Sequence, residues 1–184
     1  MTEDLLALRV DELLGAFAAG DPDPGSGSAA ALVVAMAASL VAKAARSSRA
    51  DWPEAGGAAA QAEALRARAA PLADADALVY REAYARLART EGADHTLAAS
   101  LDRAAEIPLE ITRTGADVAV LGREVCERCD PALRPDVLGA VVLAAAAAQA
   151  AAQLVGANLT VADDDPRVRE ANAYADAALG SISG

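Results

Sequence analysis

Alanine supplies most of the apolar residues in this chain. Apolar residues make up 54% of the sequence, whereas aromatic residues make up only 3%. Alanine has the highest helix propensity, and its small side chain lets helix axes approach one another closely. The alternation of β-branched or aromatic residues with polar ones, typical of strands, occurs nowhere over a useful length. The sequence therefore predicts an all-α protein, and its length fits a single domain spanning residues 1–184.

Hydrophobic periodicity and helix-breaking residues divide the chain into six predicted helical segments. The first carries an apolar stripe of four leucines and Phe17, which predicts a buried face. Pro71 and Pro108 fall inside the third and fourth segments, so we expect these two helices to be bent or briefly interrupted. Together the segments predict one helical bundle. They span residues 3–19, 26–48, 51–90, 96–129, 135–159 and 163–179.

The formal net charge of −11 disfavours nucleic acid as a partner. No block of lysine and arginine reverses that charge locally. The N-terminus, Met1-Thr-Glu-Asp-Leu-Leu, is acidic and lacks the basic-then-apolar order of a secretion signal. We therefore expect a cytoplasmic protein with a small-molecule partner.

One uncharged stretch, residues 137–162, is long enough to span a bilayer. It consists mostly of alanine, contains Gln149, Gln153 and Asn158, and has acidic flanks where membrane spans usually carry basic residues. We interpret it as a helix buried on nearly all sides of a bundle, with no membrane partner. Its buried polar side chains then need hydrogen-bond partners on neighbouring helices.

The only two cysteines, Cys126 and Cys129, have C-x-x-C spacing. Redox chemistry at this motif usually has a βαβ context, which the sequence lacks, and a zinc site needs more ligands than the single His95 supplies. We interpret the pair as two reduced thiols near a helix end, and we predict no metal site.

A Gly/Ser-rich turn, Pro22-Asp-Pro-Gly-Ser-Gly-Ser28, leads directly into an apolar helix. Gly25 and Gly27 let main-chain amides approach a ligand, and Ser26 or Ser28 can cap the helix. A helix N-terminus of this kind suits a carboxylate, a phosphate or a developing oxyanion. The alternative is a plain turn with a serine cap. The spacing matches neither a P-loop nor a dinucleotide-binding motif.

A second polar group lies in the segment Asp74-Ala-Asp-Ala-Leu-Val-Tyr80. On a helix, Asp76, Tyr80 and Tyr84 share one face, while Asp74 points elsewhere. A carboxylate beside two phenols suits general base catalysis. Alternatively, both aspartates stabilise the first helical turn after Pro71 through the helix dipole. For Asp74 we favour the dipole interpretation, and for Asp76 both interpretations stay open.

These segments occur in an order that resembles the cyclodeaminase/cyclohydrolase family. That family includes methenyltetrahydrofolate cyclohydrolase and the C-terminal domain of formiminotransferase-cyclodeaminase. The resemblance extends from about residue 10 to residue 179. The matching segments are Pro22-Asp-Pro-Gly-Ser-Gly-Ser-Ala-Ala-Ala-Leu32, Asp74-Ala-Asp-Ala-Leu-Val-Tyr80, Ala105-Glu-Ile-Pro-Leu-Glu-Ile111, Pro135-Asp136 and Ala157-Asn-Leu159.

The resemblance implies an all-helical, usually dimeric enzyme of folate one-carbon metabolism. Members hydrolyse 5,10-methenyltetrahydrofolate or release ammonia from 5-formiminotetrahydrofolate, and the tetrahydrofolate derivative is the substrate, without a separate cofactor. By the same resemblance Asp76 and Asp136 are the catalytic candidates, because a carboxylate would stabilise the cationic centre and position water. The implied substrate-binding residues are Pro24, Gly25, Ser26, Gly27, Ser28, Arg46 and Tyr80.

The sequence also departs from the family pattern at three places. Ser26 replaces a glycine, Pro135 replaces a serine, and the family's Gly-Lys segment after the second helix has become Ser47-Ser-Arg-Ala-Asp-Trp52. If that lysine binds substrate, Arg46 or Arg49 must substitute for it. Two alternatives to an active enzyme follow. One is a non-catalytic relative that binds a folate or another small acid, and the other is a purely structural bundle.

Overall fold

The computed structural model describes residues 4–20, 24–50, 52–87, 95–159 and 165–183, and their side chains except those of residues 83, 84, 86, 87 and 95–103. Within these ranges the chain forms α-helices and two short 3-10 turns, and it contains no strand. The all-α prediction is confirmed. The helices are α1 (Val10–Ala18), α2 (Ser26–Ser47), α3 (Ala55–Ala69), α4 (Leu72–Leu87), α5 (His95–Arg128), α6 (Arg134–Leu159) and α7 (Pro166–Ser183).

The two prolines expected to disturb helices behave differently. Near Pro71 the predicted third segment divides into α3, which ends at Ala69, and α4, which begins at Leu72. At Pro108, by contrast, α5 continues as one helix. A proline inside a helix removes the N–H that would bond the carbonyl four residues earlier, so the Ala104 carbonyl needs another donor.

Asn158 of α6 supplies that donor. Its side-chain Nδ2 donates a hydrogen bond of 2.9 Å to the Ala104 carbonyl oxygen. On the other side of the proline, the buried Thr112 hydroxyl donates to the Pro108 carbonyl at 2.8 Å. The polar side chain of Asn158 therefore has the interhelical partner that the sequence demanded, and the carbonyl freed by Pro108 is satisfied.

The core is built on α2, α5 and α6, which pack against one another. Small residues let these helices approach closely. A Cβ atom added to Gly122 of α5 would lie 2.8 Å from Val141 Cγ2 and 3.3 Å from Val41 Cγ2. A Cβ atom added to Gly115 of α5 would lie 3.1 Å from Ala148 Cβ and 3.3 Å from Val34 Cγ2. From Gly115 to Gly122, therefore, residue numbers rise along α2 and fall along α6, so these two helices are antiparallel.

The N-terminal segment corrects one prediction. Instead of a continuous helix over residues 3–19, a 3-10 turn at Leu5–Ala7 precedes α1. The Asp4 carboxylate accepts a hydrogen bond from the Leu6 amide, and Glu12 accepts one from the Arg9 amide, so each side chain starts its own short element. No residue of α1 is buried. Among the stripe residues, Leu5 is buried, Leu13 and Phe17 are half-buried, and Leu6 and Leu14 are exposed.

Helix α6 corrects a second prediction, because it is buried on one side only. Its inner face packs in the core, while its outer face exposes an uncharged surface. The regions Ser26–Ser47 and Pro131–Leu159 are long and apolar enough by composition to cross a membrane, and each is buried over half or more of its apolar window. The exposed large apolar residues of this outer face include Leu138, Val142 and Leu143.

Candidate functional site

The Gly/Ser-rich turn ends at the first turn of α2. Gly25 is the N-cap residue. Its backbone is extended, and because glycine has no side chain, no N-cap side chain bonds to the first amides of α2. The expected serine cap is therefore wrong. Ser26 is exposed, and Ser28, the third residue of the helix, is fully buried and directed towards α4. Its hydroxyl lies 2.8 Å from the Ala73 carbonyl oxygen and 3.1 Å from Asp76 Oδ2.

Asp76 of α4 takes the position that a capping side chain would normally occupy. Its carboxyl group contacts both the hydroxyl and the backbone of Ser28. The third residue of a helix is one of those whose amide N–H lacks an intrahelical acceptor, and a capping oxygen commonly accepts from it. The electropositive end of α2 is thus occupied by a carboxylate from another helix. The sequence predicted that this helix end binds an anion, and in the structure the Asp76 carboxyl of the protein itself lies there.

Gly27 is explained by the same contact. A Cβ atom added at this position would overlap the Asp76 carboxyl group. Glycine is needed because the carboxyl packs directly on the α2 backbone, where any side chain would displace it. Glycine in the family-like turn therefore serves the placement of Asp76 on this helix.

Burial raises the pKa of Asp76 above its ordinary value, and the two hydrogen bonds from Ser28 oppose that rise in part. Desolvation acts in this direction because a charged carboxylate loses more hydration than a neutral carboxylic acid. A carboxyl with a raised pKa retains its proton closer to neutral pH, which suits a group that exchanges a proton with a substrate.

The other predicted residues of the turn lie around this contact. Pro24 and Gly25 are partly buried at the start of α2. Tyr80 follows Asp76 by one turn on α4 and is 44% exposed. Pro22 and Asp23 of the motif lie outside the described residues, as does the side chain of Tyr84. The substrate-binding roles predicted for Pro24, Gly25 and Tyr80 stay predictions.

Asp136, the second catalytic candidate, lies elsewhere. It is in the first turn of α6, half exposed, and its Oδ2 accepts a hydrogen bond of 2.9 Å from Lys43 Nζ. Lys43 follows Ser28 by about 22 Å along the axis of α2, at about 1.5 Å per residue. Within one chain, therefore, Asp76 and Asp136 are near opposite ends of α2 and share no site. Lys43, the only lysine of the chain, was not singled out by any motif.

Arg46 is also remote from Asp76. It lies in the last turn of α2, about 27 Å along the axis from Ser28. Its guanidinium forms an ion pair of 2.5 Å with Glu63 of α3. The structure thus brings together Gly27, Ser28 and Asp76, and it does not bring Arg46 or Asp136 to them.

Asp74 has a separate contact. Its Oδ1 accepts a hydrogen bond of 2.8 Å from the Leu5 amide. This bond links the N-terminal segment to α4. It also lies in the first turn of α4, as the dipole interpretation expected. Asp74 and Asp76 therefore serve two different neighbours, although only one residue separates them.

The two cysteines lie at the end of α5 as free, buried thiols. Burial raises the pKa of the Cys129 thiol, and the neighbouring Cys126 adds to that rise. A thiol with a raised pKa is a weak nucleophile, because the thiolate is the reactive form. Among the described residues, no group of three or more histidine, cysteine, aspartate or glutamate side chains is arranged to hold a metal ion.

Comparison with known proteins identifies the family and the fold. The model of the family described as formiminotransferase-cyclodeaminase matches residues 9–177. The chain belongs to the formiminotransferase-cyclodeaminase family. Its fold is similar to the crystal structure of formiminotetrahydrofolate cyclodeaminase from Thermotoga maritima, with a TM-score of 0.85 and 22% sequence identity. The similarity covers 97% of this chain and 95% of that one. No protein of curated function matches the sequence.

Membership of the formiminotransferase-cyclodeaminase family confirms the resemblance carried by the five motifs. The first two motifs, which are far apart in the sequence, meet where Ser28 contacts Asp76. The third and the last meet where Asn158 reaches the carbonyl freed by Pro108. The family motifs therefore mark contacts between helices in this chain.

Proposed function

We propose that this protein acts on a tetrahydrofolate-bound one-carbon group, with Asp76 as its acid–base residue. It either hydrolyses 5,10-methenyltetrahydrofolate to 10-formyltetrahydrofolate or converts 5-formiminotetrahydrofolate to the methenyl form with release of ammonia. The observation that carries the proposal is the Asp76 carboxyl, partly buried on the N-terminus of α2 and held there by Ser28. Family membership supplies the substrate class.

Both reactions pass protons at an amidine-like carbon. In hydrolysis, water adds to the cationic methenyl carbon and loses a proton; the bond from that carbon to one folate nitrogen then breaks as this nitrogen takes up a proton and the added hydroxyl loses one. In deamination, the second folate nitrogen attacks the formimino carbon and passes its proton to the imine nitrogen, and the amine so formed takes up a further proton to leave as ammonia, with the methenyl cation as the other product. A carboxyl with a raised pKa can accept the first kind of proton when ionised and donate the second kind when neutral.

The test offers both folate substrates to the purified protein. We expect conversion of at least one of them to exceed the rate in buffer, as followed by the absorbance of the methenyl group. A rate equal to that in buffer for both substrates would contradict the proposal. Formation of ammonia then distinguishes deamination from hydrolysis.

A second candidate function is binding without turnover. It is favoured by the state of the cations near the missing lysine segment, because Lys43 pairs with Asp136 and Arg46 pairs with Glu63. These side chains are engaged within the protein and would have to leave their partners to bind substrate. Tight binding of a reduced folate in calorimetry, together with no conversion in the assay above, would establish this function.

A homodimer is part of the proposal, and the cytoplasm is its proposed location. The outer face of α6 presents uncharged apolar residues, and Met36 on the adjacent helix α2 is 56% exposed. A second copy would bury this face and remove an apolar patch that is costly to leave in water. We expect light scattering to give twice the mass of one chain. Leu143→Glu should shift the protein to monomer, whereas Val120→Glu, an exposed site on α5, should leave the dimer intact.

Asp136 enters this proposal only through the second copy. Because it lies far from Asp76 within one chain, a site that uses both residues needs Asp76 of one subunit and Asp136 of the other. Mixing inactive Asp76→Asn and Asp136→Asn proteins should then restore part of the activity in the mixed dimers. If each variant alone and the mixture are all inactive, the shared site is contradicted.

A further inference from the structure

The buried hydroxyl of Ser28 has one proton and two oxygen atoms within hydrogen-bond distance. The Ala73 carbonyl oxygen lies at 2.8 Å and Asp76 Oδ2 at 3.1 Å. A serine hydroxyl donates one hydrogen bond and accepts up to two, whereas a carbonyl oxygen only accepts. The contact with Ala73 therefore requires the serine proton. When Ser28 donates to Ala73, its contact with Asp76 is a hydrogen bond only if the carboxyl carries a proton and donates it.

We propose that Ser28 is a positioning residue whose hydroxyl changes its hydrogen-bond acceptor with the protonation state of Asp76. With Asp76 neutral, the carboxyl donates to Ser28 Oγ and the hydroxyl donates to the Ala73 carbonyl. With Asp76 ionised, the hydroxyl turns to donate to the carboxylate. The Ala73 carbonyl then keeps the bond that a helical carbonyl accepts from the amide four residues on. The change moves one proton on or off Asp76 Oδ2 and rotates one hydroxyl.

Burial makes Ser28 difficult to replace by water in this role. Its relative exposure is 0%. The Ser28 hydroxyl is therefore the buried group that can reorient its hydrogen bond when Asp76 gains or loses a proton. A hydrogen bond to a charged carboxylate is about twice as strong as one between neutral groups. Losing the hydroxyl therefore harms the ionised state of Asp76 more than the neutral state.

Most described charged side chains on the elements packed against α4, which are α2, α3, α5 and the 3-10 turn, are engaged with partners other than Asp76. On α4 itself, Asp74 bonds to the Leu5 amide, and Tyr80 is the titratable side chain one turn away. The influences on the pKa of Asp76 are burial and the bonds from Ser28. The Asp4 carboxylate accepts a hydrogen bond from the Leu6 amide. The ion pairs that involve these elements, among the described side chains, include Lys43 with Asp136, Arg46 and Arg66 with Glu63, Arg68 with Glu110 and Asp117, Arg113 with Glu170, and Glu106 with Arg167.

The meaning of this device for catalysis rests on the proposed function. A group that gives and takes protons during turnover must be stable in both charge states. A hydroxyl that follows the proton supports each state in turn without moving the backbone, and it keeps the carboxyl in one place on α2. Ser28 then acts through Asp76, and this role does not require Ser28 to contact the substrate.

The experiment is an NMR titration of the free protein, with ¹³C at the side-chain carboxyl carbon of aspartate and at the backbone carbonyl carbon of alanine. In the unmodified protein, the Ala73 carbonyl resonance should titrate with the same midpoint as the Asp76 carboxyl, because the bond from Ser28 leaves it. In Ser28→Ala, the acid dissociation constant of Asp76 should fall by about threefold or more. The Ala73 resonance should lose most of its response.

The control is Ser39→Ala. Ser39 lies on the same helix, partly buried, and its hydroxyl donates to the Ala35 carbonyl at 2.8 Å. This variant should leave both titrations unchanged. An Ala73 resonance that does not follow Asp76 in the unmodified protein would overturn the proposal, even if Ser28→Ala did not fold. So would an unchanged or increased acid dissociation constant of Asp76 in Ser28→Ala.

An activity measurement separates this proposal from the proposed function. If the protein converts folate, the limb of the pH–rate profile due to Asp76 should move to higher pH in Ser28→Ala and stay in place in Ser39→Ala. A protein with the expected titrations and no folate activity contradicts the proposed function alone. An active protein whose Asp76 titration ignores Ser28→Ala contradicts the proposal for Ser28 alone.

Discussion

The hydrogen bond between Asn158 and Ala104 and the one between Ser28 and Asp76 both join two helices, and they differ in their energetic cost. At Pro108, α5 frees one carbonyl and Asn158 of α6 satisfies it, so the contact is neutral and complete. At the start of α2, Ser28 meets Asp76, whose pKa is raised by burial. The first contact stabilises the packing of two helices. The second keeps an ionisable group where ionisation is unfavourable, which is the pattern expected at a reactive site.

Asp76→Asn should have the largest effect on activity of the changes considered. The carboxamide is close in shape and can still accept a hydrogen bond from Ser28, but it does not titrate. We expect kcat/KM to fall by about 100-fold or more, as is usual when a general acid or base is removed. Asp117→Asn, on the exposed side of α5, is the matched control and should retain activity. Equal activities of the two variants would show that Asp76 has no catalytic role.

Gly27→Ala tests whether close packing holds Asp76. The added Cβ would overlap the carboxyl, so either Asp76 or α2 must move. We expect the free energy of unfolding to fall by about 1–3 kcal/mol, together with activity. Gly57→Ala is the control, because nothing lies within 4 Å of a Cβ at that position of α3. It should be neutral or stabilise by about 0.5–1 kcal/mol.

Asn158→Ala tests the neutral contact. The Ala104 carbonyl would lose its donor, and we expect the free energy of unfolding to fall by about 1–3 kcal/mol, measured by urea denaturation. The exposed Gln153→Ala on the same helix should have little effect. Activity of the folded fraction should be retained in both variants, because neither residue reaches the Asp76 site.

A double-mutant cycle of Asn158→Ala and Pro108→Ala measures how strongly the two residues are coupled. Pro108→Ala returns a backbone N–H that can bond to the Ala104 carbonyl, so Asn158 is needed less in that background. We expect Asn158→Ala to cost about 1 kcal/mol less in the Pro108→Ala protein than in the unmodified one. Equal costs in the two backgrounds would mean that the hydrogen bond from Asn158 does not compensate for the proline.

The helices were predictable because alanine periodicity and proline breaks depend on local sequence. The break near Pro71 follows from this, whereas the uninterrupted α5 at Pro108 also depends on a tertiary contact, the hydrogen bond from Asn158 of α6 to the Ala104 carbonyl. The N-terminal helix was placed too early because Asp4 and Glu12 each cap a separate element. The exposed side of α6 could not be foreseen, since a sequence without charges does not distinguish its inner face from its outer face.

The candidate site was predictable in its parts and not in its assembly. Gly27, Ser28 and Asp76 were each singled out, but the sequence contained no sign that the carboxyl would cap α2 from another helix. That contact depends on how α2 and α4 pack, which is a property of the whole bundle. The family resemblance grouped Arg46 and Asp136 with Asp76, although Arg46 lies in the last turn of α2 and Asp136 of α6 pairs with Lys43 near that same end. No sequence motif indicated that Lys43 would form an ion pair with Asp136.

The stability of Asp76→Asn relative to the unmodified protein should depend on pH. The pKa of Asp76 is raised in the folded state, so the native protein binds this proton more tightly than the unfolded chain does. Its contribution is therefore fully favourable below the ordinary aspartate pKa and is lost as the pH rises through the raised folded value. Asparagine has no such dependence. We predict that urea denaturation at alkaline pH finds Asp76→Asn as stable as the unmodified protein or more stable, and that its relative advantage shrinks in acid. A variant that is less stable at alkaline pH, with the difference closing in acid, would contradict the claim that ionised Asp76 is held at a cost in stability.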